Sequence, residues 1–474
     1  FKFNGFYGEP RTIRKFNYST GAHIFGDIGE VNHRIIKESE NYYKSGDYIG
    51  RSGIEKVYEK ELRGERGYKY IFVDKFHNNK GSYNNKQSDL FPISGKNITL
   101  SIDVELQKYG EKLLKNKIGS IVAIEPKTGE ILALASNPTF DPNMLVGRKR
   151  GENYKKLQKN KLSPLFNRAI MGTYPPGSTF KAITAAIALQ EKIIDPTFSY
   201  KCNLSYQIPG YTLHCSHGHP FAKNVQDALK YSCNPYFWQV FRNNIDHNQY
   251  TNTEEAYNTW RAYCIKFGFG RKTGIDLGGE EPGNIPLAAY YNNLYSKNHW
   301  KAVTIISLAI GQGEISVTPL QLANFYAIIA NRGYYIEPHL LKNIEGVEKI
   351  NFPTINSGVD AKYFEVIAEG LKAVVEEGTG RRSKIPGISF GGKTGTAQNP
   401  HGDYHSIFAG IAPVENPDIV VAVIVENAGG GSAFAAPITS LMIEKYKNDT
   451  IMNSRKWLEK SILDAMLIDS TKLK

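Results

Sequence analysis

Ser178 and Lys181 stand three positions apart in Tyr174-Pro-Pro-Gly-Ser-Thr-Phe-Lys181. Pro175-Pro176-Gly177 cannot be helix interior, and the stretch from Ser178 to Gln190 is apolar with helical spacing. Ser178 is therefore expected at a helix N-terminus, with Lys181 one turn on and on the same face. A serine hydroxyl is a poor nucleophile until a base takes its proton. A lysine whose pKa is lowered by burial or by nearby cations can do that. The helix N-terminus adds backbone N–H groups and a positive dipole end for a developing oxyanion. Taken alone, the same residues also describe an N-cap serine with a solvated lysine.

Two further stretches carry compatible chemistry. Ser232-Cys233-Asn234 follows a helical stretch, Asn224 to Tyr231, and precedes Pro235. By itself it reads as a turn. Gly391-Gly-Lys-Thr-Gly-Thr-Ala397 lies on a strand-like run. Its small residues, Gly395 among them, let another backbone approach closely. Lys393 supplies a cation, and Thr394 and Thr396 supply hydroxyls. That combination suits an extended peptide with a terminal carboxylate, docked along a strand edge. A phosphate loop is excluded, because the G-x-x-x-x-G-K-[ST] spacing is missing and no helix follows.

Three of the four cysteines share a window with three histidines, His214, His217 and His219. Cys202, Cys215, His219 and Cys233 have the composition of a closed, four-coordinate zinc site. A Cys202–Cys215 disulfide, favoured in an oxidising compartment, or free buried thiols with exposed histidines, are the competing readings. If Ser232 and Asn234 face a cleft, Cys233 points away from it, into the body. Cys264 sits in an apolar helix and reads as core.

The elements that must position these residues are legible in outline. Residues 1–96 are rich in Lys, Asn, Tyr and Gly and read as an elongated accessory region with too little apolar content for a deep core. Within it, Ile54, Val57, Tyr58 and Leu62 form one helical stripe, Tyr68 to Asp74 is strand-like, and Asn78 to Asp89 is a polar loop. Residues 97–448 form a denser domain. Asp103 to Asn116 reads as a helix. Ser120 to Ser136 reads as a hairpin turning at Pro126 to Gly129. Ile388 to Gln398, His405 to Pro413 and Asp418 to Asn427 are three closely linked strands, hence antiparallel. Strands at both ends with helices between them imply one sheet closed by both ends of the domain. Residues 449–474 end in a basic amphipathic helix around Trp457, Leu458, Ile462 and Met466.

Composition bounds the rest. The chain has 474 residues, 41% hydrophobic and 22% charged, which excludes global disorder. No run reaches the ~18 apolar residues of a membrane span. A net charge of +12 suits a membrane surface or a polyanionic partner. No zinc-finger, RNP or helix-turn-helix pattern directs it to nucleic acid, which is not an expected partner. The first residue is Phe, so an N-terminal membrane anchor is expected upstream of this chain.

S-x-x-K, S-x-N and K-T-G in this order, each in the setting its chemistry needs, form the signature of the penicillin-interacting serine acyltransferases. The chain resembles a class B penicillin-binding protein. Gly311 to Gln321 and Ala330-Asn331-Arg332-Gly333 resemble the helix bordering the family's site. Lys393 to Gln398 resembles the monofunctional class. Gly50 to Tyr58 resembles its non-catalytic pedestal. The Cys/His window is similar to that of the elongation-type class, penicillin-binding protein 2, although His217-Gly218-His219-Pro220 departs from the usual Gly-His-Gly turn and leaves the ligating histidine open.

The resemblance implies an α+β (α/β/α) fold, with a five-stranded antiparallel sheet flanked by helices on an elongated pedestal. It implies that Ser178 is acylated by a D-Ala-D-Ala stem peptide, with Lys181 as general base. Ser232 and Asn234 would relay the proton and hold the amide. Lys393, Thr394, Gly395 and Thr396 would hold the terminal carboxylate, and the N–H groups of Ser178 and Thr396 would form the oxyanion hole. No position matches the hydrolytic glutamate of class A lactamases, and Gln190-Glu191 reads as a solvated helix end. The implied activity is peptidoglycan D,D-transpeptidation in wall elongation, inhibited by β-lactams and needing no cofactor for the chemistry, with a structural Zn2+ beside it. The implied partners are a RodA-type SEDS glycosyltransferase, MreC through the pedestal, and the inner membrane, with the catalytic domain periplasmic. A DD-carboxypeptidase or β-lactamase on the same fold, or a penicillin-sensing module, are the alternatives.

Overall fold

The computed structural model describes residues 13–468 except 41, 349 and 401. The expectations for residues 1–12 and 469–474 lie outside the described residues.

Gly119–Ile124 (β1) and Ile131–Asn137 (β2) form the expected hairpin, and Gly391–Ala397 (β3), His405–Ala412 (β4) and Ile419–Val425 (β5) form the meander. They make one antiparallel sheet in the order β3-β4-β5-β1-β2. The closure comes from β5 lying against β1, with Val420 opposite Ile124 and Val425 opposite Gly119. The strands read as unbroken apolar runs because both faces are covered. Successive residues go to opposite sides. Val122, Ile124, Ile407, Ala409, Val420 and Ala422 join one core with the helices Lys181–Gln190 and Pro319–Ala330. Ile121, Ala123, Phe408, Val421 and Val423 join a second core with Val104–Leu114, Ala435–Asn448 and Lys456–Asp464. Asp103 caps the first of these helices by accepting from the N–H groups of Glu105 and Leu106. In the last of them Leu458 and Ile462 are buried, while Trp457 stays exposed.

The accessory region departs from the sequence reading at two points. The single helix expected over residues 52–62 is two, Gly53–Val57 and Glu59–Arg63, broken at Tyr58. The Tyr58 hydroxyl donates to Asp276 Oδ2 at 2.8 Å, so this side chain is committed to the catalytic body. Val57 is exposed and only Ile54 of the stripe is buried. The polar stretch after Asn78 contains a strand, Asn79–Ser82, paired with Ile71–Val73. Main-chain pairing suffices there, because both strands are exposed to solvent. Asp74 fixes the turn by accepting from the N–H groups of Phe76 and Asn78, both at 2.9 Å. Tyr70, Ile71, Phe72, Phe91 and Ile93 all remain exposed, in line with the shallow core expected of this region.

Candidate active site

Lys181 to Leu189 is buried at every position, and Lys181 is the one charged residue in that run. The turn that delivers Ser178 to its head is stiff. Pro175 and Pro176 fix φ, and Gly177 has φ +56° in the left-handed region. A Cβ on Gly177 would lie 2.6 Å from the Thr396 carbonyl oxygen, so this position needs glycine for both space and conformation. Gly177 N–H also donates to the Gly311 carbonyl at 2.9 Å. Ser178, half-buried, is thereby set against the edge strand β3. Gly395 makes room from the other side, since a Cβ there would lie 2.9 Å from the Pro176 carbonyl oxygen.

Ser232 and Asn234 meet Lys181 from a second direction. Lys181 Nζ donates to the Ser232 carbonyl at 2.6 Å, to Ser232 Oγ at 3.1 Å and to Asn234 Oδ1 at 2.5 Å. Among the described residues no hydrogen bond joins Lys181 to Ser178, so the direct contact expected from their spacing is replaced by contacts to the second motif. Ser232 has φ +55°, a conformation that costs a non-glycine residue ~1–2 kcal/mol. It aims both oxygens of the residue at one amine. Burial pushes the Lys181 pKa down to about 7, partly opposed by the nearby Cys233 and Cys215 thiols. Lys393 is fully buried as well, and burial together with Lys181 holds its pKa well below the ordinary lysine value. Its Nζ donates to the Thr394 carbonyl at 3.3 Å.

Ser178, Ser232, Asn234, Thr394 and Thr396 line one cleft of ≈ 480 Å³. Among the described residues its lining includes no aspartate or glutamate. Sequence reasoning missed several of its walls. Gln312 donates from Nε2 to the Thr396 carbonyl at 3.0 Å. Thr379 Oγ1 lies 2.8 Å from Thr394 Oγ1. Tyr404 and Ser432 close the far side. Gln312 lies inside the Gly311 to Gln321 run and was within reach of the motif. Thr379 has no local signature and arrives only through the turn after the helix Ala361–Glu376. Glu191 is no solvated helix end: it accepts from the Tyr263 hydroxyl at 2.6 Å and the Tyr250 hydroxyl at 3.0 Å.

Behind the cleft, one ligand atom each of Cys202, Cys215, His219 and Cys233 lies within 4.8 Å of the others. All four cysteines of the chain are free thiols. Cys233 is buried beneath Ser232 and Asn234, pointing into the body as expected. His219 Nδ1 donates to the Pro220 carbonyl at 2.8 Å, which leaves Nε2 as the lone-pair nitrogen, 3.7 Å from Cys215 Sγ. The hydrogen bond from Cys233 holds the Cys215 thiol well below the ordinary cysteine value, against burial, while the same bond and burial raise Cys233. Of the three histidines, His214 and His217 line the cleft instead. Three sulfurs and one oriented imidazole are a donor set that fits zinc.

A half-buried alcohol, an adjacent neutral-prone amine and an acid-free cleft on an edge strand define a serine acyltransferase site. Residues 119–444 match the family described as penicillin binding protein transpeptidase domain. Residues 1–100 match the penicillin-binding protein dimerisation domain. The peptidoglycan D,D-transpeptidase MrdA of Acinetobacter baumannii is 34% identical over 95% of this chain and 69% of its own length. The crystal structure of Pseudomonas aeruginosa PBP2 in complex with WCK 5153 superposes with a TM-score of 0.75 at 32% identity, covering 90% of this chain and 88% of that one. The Helicobacter pylori complex between PBP2 and MreC gives 0.78 at 27% identity, covering 91% and 78%. The chain belongs to the class B penicillin-binding proteins of the PBP2 (MrdA) type.

Proposed function

We propose that this chain is a peptidoglycan D,D-transpeptidase of wall elongation and that its chemistry runs on Ser178. The observation that carries the reading is Ser178 at the mouth of an acid-free cleft, with an amine depressed to about 7 behind it. Neutral Lys181, through Ser232 Oγ, takes the Ser178 proton as Oγ attacks the penultimate D-Ala carbonyl. The tetrahedral oxyanion sits on the N–H groups of Ser178 and Thr396, whose chains Gly177 holds side by side. D-Ala leaves as its nitrogen is protonated, and the amine of a neighbouring stem takes the acyl group. Asn234 orients the amide. Lys393, Thr394 and Thr396, with Thr379 bracing Thr394, hold the terminal carboxylate. A β-lactam acylates the same oxygen. Intact mass after benzylpenicillin tests this: one adduct on the wild type and none on Ser178→Ala is the expected result. An unmodified wild type, or an equally modified variant, overturns it.

Residues 1–96 act as a pedestal, 97–448 as the catalytic domain and 449–474 as a tail that carries the helix Lys456–Asp464. Cys202, Cys215, His219 and Cys233 hold a structural Zn2+ that braces the Ser232 turn. Metal analysis of protein purified without chelator is expected to give one zinc per chain, and a content well below that counts against it. The exposed aromatic pedestal surface takes MreC, a protein found in complex with PBP2 of Helicobacter pylori, and a RodA-type SEDS glycosyltransferase supplies the strands. The substrate lies outside the cytoplasm, so the catalytic domain works in the periplasm, at the inner membrane. Among the described residues no helix is long and apolar enough to cross a membrane.

A further inference from the structure

A second cavity, of ≈ 700 Å³, opens beside the helix Ala288–Tyr295, lined by Arg261, Asn284, Leu287, Tyr290, Asn293 and Glu314 among others. Its polar groups are only part-used. Arg261 Nε donates to the Ile285 carbonyl at 3.1 Å, and its two Nη atoms have no partner among the described residues. Glu314 Oε2 accepts from the Tyr291 hydroxyl at 3.1 Å, leaving Oε1 open. Asn284 spends Nδ2 on the Glu314 carbonyl at 2.7 Å and keeps its own oxygen. The Asn293 amide is exposed and without a partner among the described residues. One wall is apolar and flat: Tyr290, 46% exposed, stands edge-on against Tyr291, next to Leu287.

The chemistry of the lining selects its ligand. Arg261 and Glu314 are its only charged side chains and cancel, so neither an anion nor a cation is favoured. Free donors and free acceptors stand together around an aromatic face. That matches a neutral body with one C–H face and a rim of hydroxyl and amide groups, which is a pyranose. The cavity and the cleft share one short chain segment. Gln312 lines the cleft and Glu314 lines the cavity, and two residues of chain span at most ~7 Å. A four-residue stem, extended, spans ~13–14 Å, so a stem acylated at Ser178 can carry its sugar that far from the serine.

We propose that this groove is a saccharide subsite for the glycan strand that carries the stem peptide, an inference that rests on the transpeptidase reading. The probe is chitotetraose, a neutral N-acetylglucosamine tetramer, titrated into the full chain before and after its cleft is filled with benzylpenicillin. Saturable binding is expected in both states. Tyr290→Ala and Asn293→Ala, both exposed positions, are expected to weaken it at least fivefold while acylation by benzylpenicillin keeps its wild-type rate, which also reports correct folding. Absence of saturable binding, or equal affinity in wild type and Tyr290→Ala, overturns the subsite. Failure of benzylpenicillin to label the wild type overturns the transpeptidase reading instead, and the sugar titration on unlabelled protein still decides the groove.

Discussion

Lys181 illustrates how far a single side chain is defined by its surroundings. Its three oxygen partners would each favour the charged amine, yet complete burial wins and brings its pKa down to about 7. A base must be unprotonated, so benzylpenicillin acylation is expected to be slow below pH 7 and to rise through it toward a plateau. A stopped-flow or mass-resolved pH profile checks this, and a rate flat from pH 5.5 to 8.5 contradicts it. Lys181→Ala should lose ~10²–10⁴-fold in acylation rate, the range of general-base catalysis. Ser232 is strained for the same amine. Ser232→Gly relieves left-handed backbone strain while adding unfolded-state entropy, so its stability should stay within ~1 kcal/mol of wild type. Its acylation should nonetheless fall ~10²-fold, because the hydroxyl that accepts from Lys181 and is proposed to relay the proton is gone.

At the scale of elements, the site is assembled where a turn, a strand edge and a helix start touch. Gly177 is the tightest of these contacts. A methyl there collides with backbone of Thr396, which cannot swing away as a side chain could. Gly177→Ala is therefore expected to fold, keep its far-ultraviolet circular dichroism, and lose at least 100-fold in acylation rate. Wild-type kinetics would show that the turn does not position Ser178. The Cys202–Cys215–His219–Cys233 cluster ties the hairpin Ser205–Ile208/Tyr211–His214 to the start of the helix Asn234–Ile245. If zinc sits there, removing it with a chelator should slow acylation yet leave the final yield at one adduct per chain. Chelation without effect on the rate would separate the cluster from the Ser232 turn.

At the scale of the whole molecule, pedestal and catalytic body are joined by specific polar contacts. Arg150 pairs with the buried Asp27, His23 Nε2 donates to the Pro164 carbonyl at 2.8 Å, and Tyr58 meets Asp276. Asp276 also accepts from the N–H groups of Leu340 and Leu341, so removing the tyrosine hydroxyl leaves no orphaned carboxylate. Tyr58→Phe should accordingly cost only about 1 kcal/mol, read as a lower urea midpoint with unchanged slope. A loss above 3 kcal/mol would mean that Tyr58 does more than donate one hydrogen bond.

Much of this was written locally. Helical and alternating periodicities, the cap at Asp103, the hairpin turn and the three short motifs depend on neighbours within a few residues, so the strands of the sheet and the stretches that bring Ser178, Lys181, Ser232, Asn234 and Lys393 together could be read in one dimension. The break at Tyr58 could not, nor could the bond of its hydroxyl to Asp276, far along the chain. Nor could Thr379 behind Thr394, the choice of His219 over His214 and His217, or the preference of Lys181 for Ser232 over its own helix neighbour Ser178. Each of these is a contact between segments remote in sequence, and burial, which sets the charge of Lys181, is a property of the packed interior that no stretch of chain possesses alone.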